Sequence, residues 1–273
     1  MHRLRRLSAA VVVAGVLGVA APAAAEAIPT ITISGATASY PLVQLLAQKY
    51  AKLHKNQVKF KIAQGGSTVG INDVLAGRVS IADLSRDPLF TPSEASLIFY
   101  PIAKYAICVI TNKANTLASL TQAQLTAIFT GKTRAWSGVP GAGASGTIDL
   151  ISRTSVAGVL TSFQTALLLE GKKVSSIAAE ESSDGLVKQA VENDPNAIGF
   201  VSNYQSDKGG VNVVGVNGVA CNKTNAAAGT YPGVARFYEV TKGRAAGAAA
   251  GFISWIRGTA AARKIISTQW IPY

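Results

Sequence analysis

Ile31-Thr32-Ile33, then Ser34-Gly35-Ala36-Thr37-Ala38-Ser39-Tyr40-Pro41, then Leu42 to Leu53, is the stretch on which the fold turns. A short β-branched run leads into a turn of small and hydroxyl residues, and beyond it apolar residues recur at helical spacing. The order is strand, tight turn, helix. It returns downstream. Val58-Lys59-Phe60-Lys61-Ile62 alternates as a strand, Gly65-Gly66-Ser67-Thr68-Val69-Gly70 forms the turn, and Ile71 to Leu75 starts a helix. Val79 to Ala82 reads as a third strand and runs into Asp83-Leu84-Ser85-Arg86-Asp87. The pattern resumes with a strand from Ile148 to Ser152, the turn Arg153-Thr154-Ser155-Val156-Ala157-Gly158, and a helical run from Ser162 to Leu169. Leu186 to Val191 and Ile198 to Val201 continue the alternation, and Ala245 to Ile256 and Thr259 to Ser267 read as closing helices. Alternation of this kind predicts an α/β protein with parallel sheets covered by helices. Pro140 to Thr147 and Lys223 to Pro232 read as loops.

The amino terminus has a different character. Arg3, Arg5 and Arg6 precede an apolar run from Ala9 to Ala21, and Pro22-Ala23-Ala24-Ala25 offers small residues for cleavage before Glu26. Charge, apolar run and small residues in that order predict a signal peptide over 1–25. The apolar run is shorter than the ~20 residues that a spanning helix needs. The leader holds no cysteine for lipid attachment, which predicts a soluble periplasmic or secreted product. The chain has 26 Lys+Arg against 14 Asp+Glu, and taking away the three leader arginines leaves 23 against 14. These cations are scattered and rarely interleaved with aromatics, which argues for a solvated surface rather than a nucleic-acid interface. Cys108 and Cys221 are the only cysteines, and in an oxidising compartment they predict a disulfide. The competing reading is a buried thiol at Cys108 within the apolar run Ile107 to Ile110.

Several catalytic spellings lack their context. Gly141-Ala142-Gly143-Ala144-Ser145-Gly146 matches a dinucleotide fingerprint, but no strand precedes it and a strand follows it. Gly131-Lys132-Thr133 ends like a P-loop, yet Thr126 stands where the first glycine is needed. Asn222-Lys223-Thr224 has the spelling of a glycosylation sequon, which is common by chance. Beyond the leader the only histidine is His54, at a helix end, so histidine-based triads and zinc sites lack their residues. The expectation is a binding protein without metal or cofactor rather than an enzyme.

The strand-to-helix turns point to the ligand. Backbone N–H groups at a helix start, aided by the helix dipole, cradle anions. Ser39, Ser67 and Ser85 add hydroxyl donors, and Arg86 and Arg153 at strand ends add charge. Ordinary helix capping by Ser39, Ser67 and Ser155 is the competing reading of each turn taken singly.

Taken together, Gly35 to Pro41, Gln64 to Ile71, Ile81 to Leu89, Thr130 to Trp136 and Ala197 to Val201 resemble segments of the phosphate-binding proteins that serve phosphate ABC transporters. The resemblance runs from about Ile31 to the carboxyl end and implies a type II periplasmic-binding-protein fold. In such a fold two α/β lobes are joined by two crossing strands, with the ligand in the cleft. The implied boundaries are 26–103 plus 235–273 for one lobe and 104–234 for the other. The resemblance also implies ligand contacts at Ser39, the backbone of Tyr40, Ser67, Ser85, Arg86, Arg153, Ala157 and Gly158, with Asp83 or Asp87 as an acceptor for a protonated anion. It further implies an ABC permease as partner, no nucleic acid, and a monomer. One departure stands out: where the family usually has Ser-Gly-Thr, this chain has Ala157-Gly158-Val159. Two hydroxyl donors are missing, so the expectation divides between weaker phosphate binding, compensation by Thr154, Ser155 or Thr161, and another oxyanion such as sulfate or molybdate. A secreted non-transport sensor is the remaining alternative.

Overall fold

Two groups of strands share one long member. The computed structural model describes residues 28–55 and 57–273, so the proposed leader lies outside the described residues. β1 (Thr30–Gly35), α1 (Tyr40–Leu53), β2 (Lys59–Gln64), α2 (Ser67–Leu75) and β3 (Ile81–Leu84) follow the strand–helix order read from the sequence. β1 lies between β2 and β3 and pairs in parallel with both. α2 begins at Ser67 and ends at Leu75, so Ile71 is mid-helix rather than near a start. β4 (Leu97–Asn112) then runs for 16 residues.

The second group is built on the far end of β4. It comprises β5 (Ser119–Leu120), α3 (Gln122–Phe129), β6 (Asp149–Arg153), α4 (Gly158–Ala166), β7 (Ala179–Glu181), α5 (Asp184–Asn193), β8 (Ala197–Ser202), α6 (Asn203–Ser206) and β9 (Val211–Val216). After α7 (Lys223–Ala227) the chain returns through β10 (Val234–Lys242), and α8 (Gly247–Gly258), α9 (Ala260–Gln269) and β11 (Ile271–Pro272) close the first group. β10 pairs antiparallel with both β3 and β4, and β4 pairs antiparallel with β8 and β9.

The sheet is therefore mixed, not the parallel sheet expected. β1–β2–β3 and β6–β7–β8 are parallel because helices return the chain between them, whereas β4 and β10 carry it out and back in opposite directions. These two strands are the crossings between two α/β lobes. The segment Lys223 to Pro232 also differs from expectation, since its first five residues form α7, capped by the Asn222 side chain on the Asn225 N–H. Cys108 on β4 is bonded to Cys221, which ties the outgoing crossing to the segment that leads back. The core reflects the strand periodicity. Ile31, Ile33 and Ile81 pack with Leu42, Val43, Leu46 and Phe252, while Ala82, Leu84 and Val240 pack with Ile71 and Val74 of α2 on the other face.

Candidate ligand-binding crevice

Between the lobes, the segments that leave the ends of β1, β2, β3 and β6 meet, and those after β1, β2 and β6 enter helices. β1 hands over to α1 at Ser39, whose buried Oγ donates to Asp83 Oδ2 at 2.6 Å. Ser67 opens α2, and its buried Oγ accepts the Ser85 N–H at 3.1 Å. From the other lobe Gly158 opens α4 so close by that a Cβ there would collide with Ser67 Oγ and Ser85 Oγ. Gly66 has φ +96°, and a Cβ on it would meet Val156 O at 2.7 Å; the Thr68 N–H donates to that same carbonyl at 3.1 Å. Glycine is required there on both counts. Ser162 Oγ, also from the second lobe, donates to Ser85 O at 3.0 Å, and Tyr105 from β4 donates to the same oxygen at 2.8 Å.

Arg153 ends β6 and is 1 % exposed. Its Nη1 pairs with Asp184, its Nε donates to Glu181 O at 3.0 Å, and its Nη2 donates to Ser182 O at 2.9 Å and across the crevice to Thr37 Oγ1 at 2.8 Å. Four of the five guanidinium N–H groups are thus committed, which leaves one on Nη1. Asp184 is held in turn by the Ser202 N–H at 2.9 Å. Arg86 is equally buried, but its guanidinium turns to Glu94 Oε1 at 2.5 Å and Asp87 O at 2.9 Å. Each crevice arginine thus has a buried carboxylate of its own.

The two aspartates read as possible acceptors separate clearly. Asp87 is exposed and binds Arg236 at 3.0 Å and the Tyr238 hydroxyl at 2.8 Å. Asp83 is buried beside Ser39, and burial pushes its carboxyl up to about 7 against the lowering effect of the Ser39 hydrogen bond. Tyr40 is half-buried, and its hydroxyl accepts from Gln44 at 2.7 Å. Ala157 and Val159 are buried on either side of Gly158.

Side-chain capping does not explain the serines. α1, α2 and α4 have no side-chain cap, and their N-cap residues are Ser39, Gly66 and Ala157. By contrast α3, α5, α7 and α9 are capped by Thr121, Ser183, Asn222 and Thr259. The Ser39 hydroxyl bonds to Asp83 and the Ser67 hydroxyl to the Ser85 N–H instead. Sequence reasoning missed Glu94, Asp184 and Ser162, whose partners lie 8, 31 and 77 residues away in the chain. Thr37 stands in the turn from Gly35 to Pro41, where nothing in the spelling marks it as a partner of Arg153.

The family model described as the PBP superfamily domain matches residues 20–258, and the chain belongs to that superfamily of binding proteins. It is 28% identical over 247 residues to the phosphate-binding protein PstS of Bacillus subtilis, covering 89% of this chain and 80% of the relative. Among solved structures it is similar to a Clostridium perfringens phosphate ABC transporter substrate-binding protein with bound phosphate, at TM-score 0.82 and 27% identity, covering 89% of this chain and 99% of that one. An ABC-type phosphate transport receptor from Vibrio cholerae aligns at TM-score 0.73 and 27% identity, covering 89% and 100%. The type II binding-protein fold and the PstS-like character expected from the loops are both borne out.

Proposed function

We propose that this chain is an extracytoplasmic solute-binding protein that captures inorganic phosphate and delivers it to an ABC importer, without catalysis of its own. The observation that carries this reading is the meeting of three helix starts without side-chain caps, α1, α2 and α4, with buried Ser39, Ser67, Ser85 and Arg153 in one interlobe crevice. Such a site presents backbone N–H groups, hydroxyls and one free guanidinium N–H to an oxyanion, whose charge the helix dipoles favour. In this reading Ser39, the Tyr40 backbone, Ser67, Ser85, Arg153 and the N–H groups around Ala157 and Gly158 are the ligand shell. Arg86 shapes the third loop through Glu94 and Asp87. The lobes run over 26–103 plus 235–273 and 104–234, and capture closes one on the other about β4 and β10. Similarity to phosphate-binding PstS proteins of 28% identity supports phosphate as the ligand.

A second oxyanion keeps a place because Ala157 and Val159 supply no hydroxyl. Isothermal titration of the protein with phosphate, beside sulfate and molybdate, decides between them. Saturable phosphate binding with weaker or no response to the other two is expected, and tighter binding of sulfate or molybdate overturns phosphate as the ligand.

A further inference from the structure

Behind Ser39 lies a pair of carboxyl groups that anion capture does not by itself call for. Asp83 on β3 and Glu239 on β10 are directly opposed in antiparallel register. Their strand neighbours Ala82, Leu84, Tyr238 and Val240 pack under α2, so the two carboxyls share the opposite face with Ile33, Ile81 and Phe237. Glu239 is 0% exposed and Asp83 3%. Ser39 satisfies Asp83 Oδ2, whereas Asp83 Oδ1 and both Glu239 oxygens have no hydrogen-bond partner.

No cation faces them among the described residues. β1 and α4 carry no titratable side chain, and Asp73 on α2 is taken by Ser34 and Arg78. On β10, Arg236 and Tyr238 bind Asp87, and Lys242 reaches Leu75 O. On β4, Tyr100 stands opposite Glu239 and accepts the Ala245 N–H, with Arg257 of α8 over its ring; Lys104 lies over Tyr273, and Tyr105 donates to Ser85 O. Arg86 and Arg153 are matched by Glu94 and Asp184. Two carboxyl groups side by side in such surroundings hold protons more tightly than exposed ones, because the charged form loses its hydration without a counter-ion. Burial raises both, and the charge of Asp83 raises Glu239 further.

We propose that Asp83 and Glu239 form a proton-binding site that fills as the crevice takes up its anion. The proposal rests on the anion-capture reading above. An anion held by Ser39 sits one hydroxyl away from Asp83, and no unmatched cation offsets a second negative charge there. Protonation also turns the Ser39 hydroxyl round. Ionised Asp83 keeps the Ser39 hydrogen for itself; neutral Asp83 can donate to Ser39 Oγ and free that hydrogen for the anion. The proton comes from solvent, one O–H bond forms on the pair, and the anion keeps its own protons.

The test is calorimetry with inorganic phosphate in buffers of different ionisation heat, which gives the protons taken up per phosphate. Phosphate itself titrates near neutrality, so the quantity read is the difference between wild type and Glu239→Gln, with Asp83→Asn as the second variant. At about pH 8 the wild type is expected to take up about one proton more per phosphate than either variant, and its affinity falls about tenfold per pH unit relative to Glu239→Gln. Equal proton counts in all three proteins, with phosphate still bound, overturn the proton site and leave capture standing. Absence of phosphate binding by the wild type overturns capture itself. A response of wild-type affinity to sodium rather than to pH identifies a metal cation in place of the proton and overturns the proposal. Should either variant fail to fold, the other supplies the comparison, and a ligand-free wild-type melting temperature that does not fall from about pH 5 to about pH 8 sinks the proposal by itself.

Discussion

Both arginines are paired with buried carboxylates, Arg153 with Asp184 and Arg86 with Glu94, so in the proposed site the anion meets neutral donors and a single Arg153 N–H. That makes the missing hydroxyls at Ala157 and Val159 consequential. A hydrogen bond to a charged group contributes about 1.5–3 kcal/mol, so two are worth about two to four powers of ten in affinity. Ala157→Ser with Val159→Thr is expected to tighten phosphate at least tenfold by titration; unchanged affinity removes this loop from the ligand shell. Asp83 brings a pH dependence whose sign is fixed. Its carboxyl is raised to about 7 in the folded protein, so the folded state holds a proton more tightly than the unfolded chain. The resulting stability is full below the usual carboxylate range and is lost as pH rises through about 7. The melting temperature should therefore be higher at about pH 5 than at about pH 8, and Glu239→Gln should flatten the difference. Ser39, Ser67, Ser85 and Arg153 were legible in the sequence because each sits just beyond a strand or at its end. Glu239 was not, because its partner Asp83 is brought alongside only by the pairing of β10 with β3.

At the scale of elements, α4 begins where it does because Gly158 alone lets the helix start approach Ser67 and Ser85. Gly158→Ala is expected to lower phosphate affinity at least tenfold while the far-UV circular dichroism spectrum stays unchanged, because the added methyl wedges the lobes apart rather than unfolding either. Wild-type affinity in that variant would show that the contact gives way freely. Periodicity revealed the elements with one buried face. α1 buries Leu42, Val43, Leu46, Ala47 and Tyr50, and α5 buries Val187 and Val191. The strands that organise the two lobes were harder to see. β10 reads Val-Ala-Arg-Phe-Tyr-Glu-Val-Thr-Lys, and five consecutive residues from Phe237 to Thr241 are buried, so no two-residue alternation marks it. β9 reads Val-Asn-Val-Val-Gly-Val and buries Val214 and Val216, so it too lacks a strict two-residue alternation. α3 escaped despite its Thr121-to-Gln124 capping box, because eight residues give a helical pattern little room to repeat.

For the molecule as a whole, the mixed sheet follows from the out-and-back path of β4 and β10, and the Cys108–Cys221 bond secures that path over a separation of 113 residues. In the chain-entropy account a bridge closing a loop of that size contributes about 4–5 kcal/mol. Cys108→Ala with Cys221→Ala should lower unfolding stability by about that amount in a denaturant titration; a loss under about 1 kcal/mol would mean that packing alone holds the return segment. The pairing of β10 with β4 extends from Val234 opposite Ala106 to Lys242 opposite Leu97. The chain therefore enters and leaves the second lobe on neighbouring strands, about 5 Å apart. Everything between those two points is a cassette whose ends already lie side by side. A segment from a relative with the same strand pairing can be spliced in at this seam without rerouting the backbone, which makes the crevice a natural place to build chimaeras of altered anion preference.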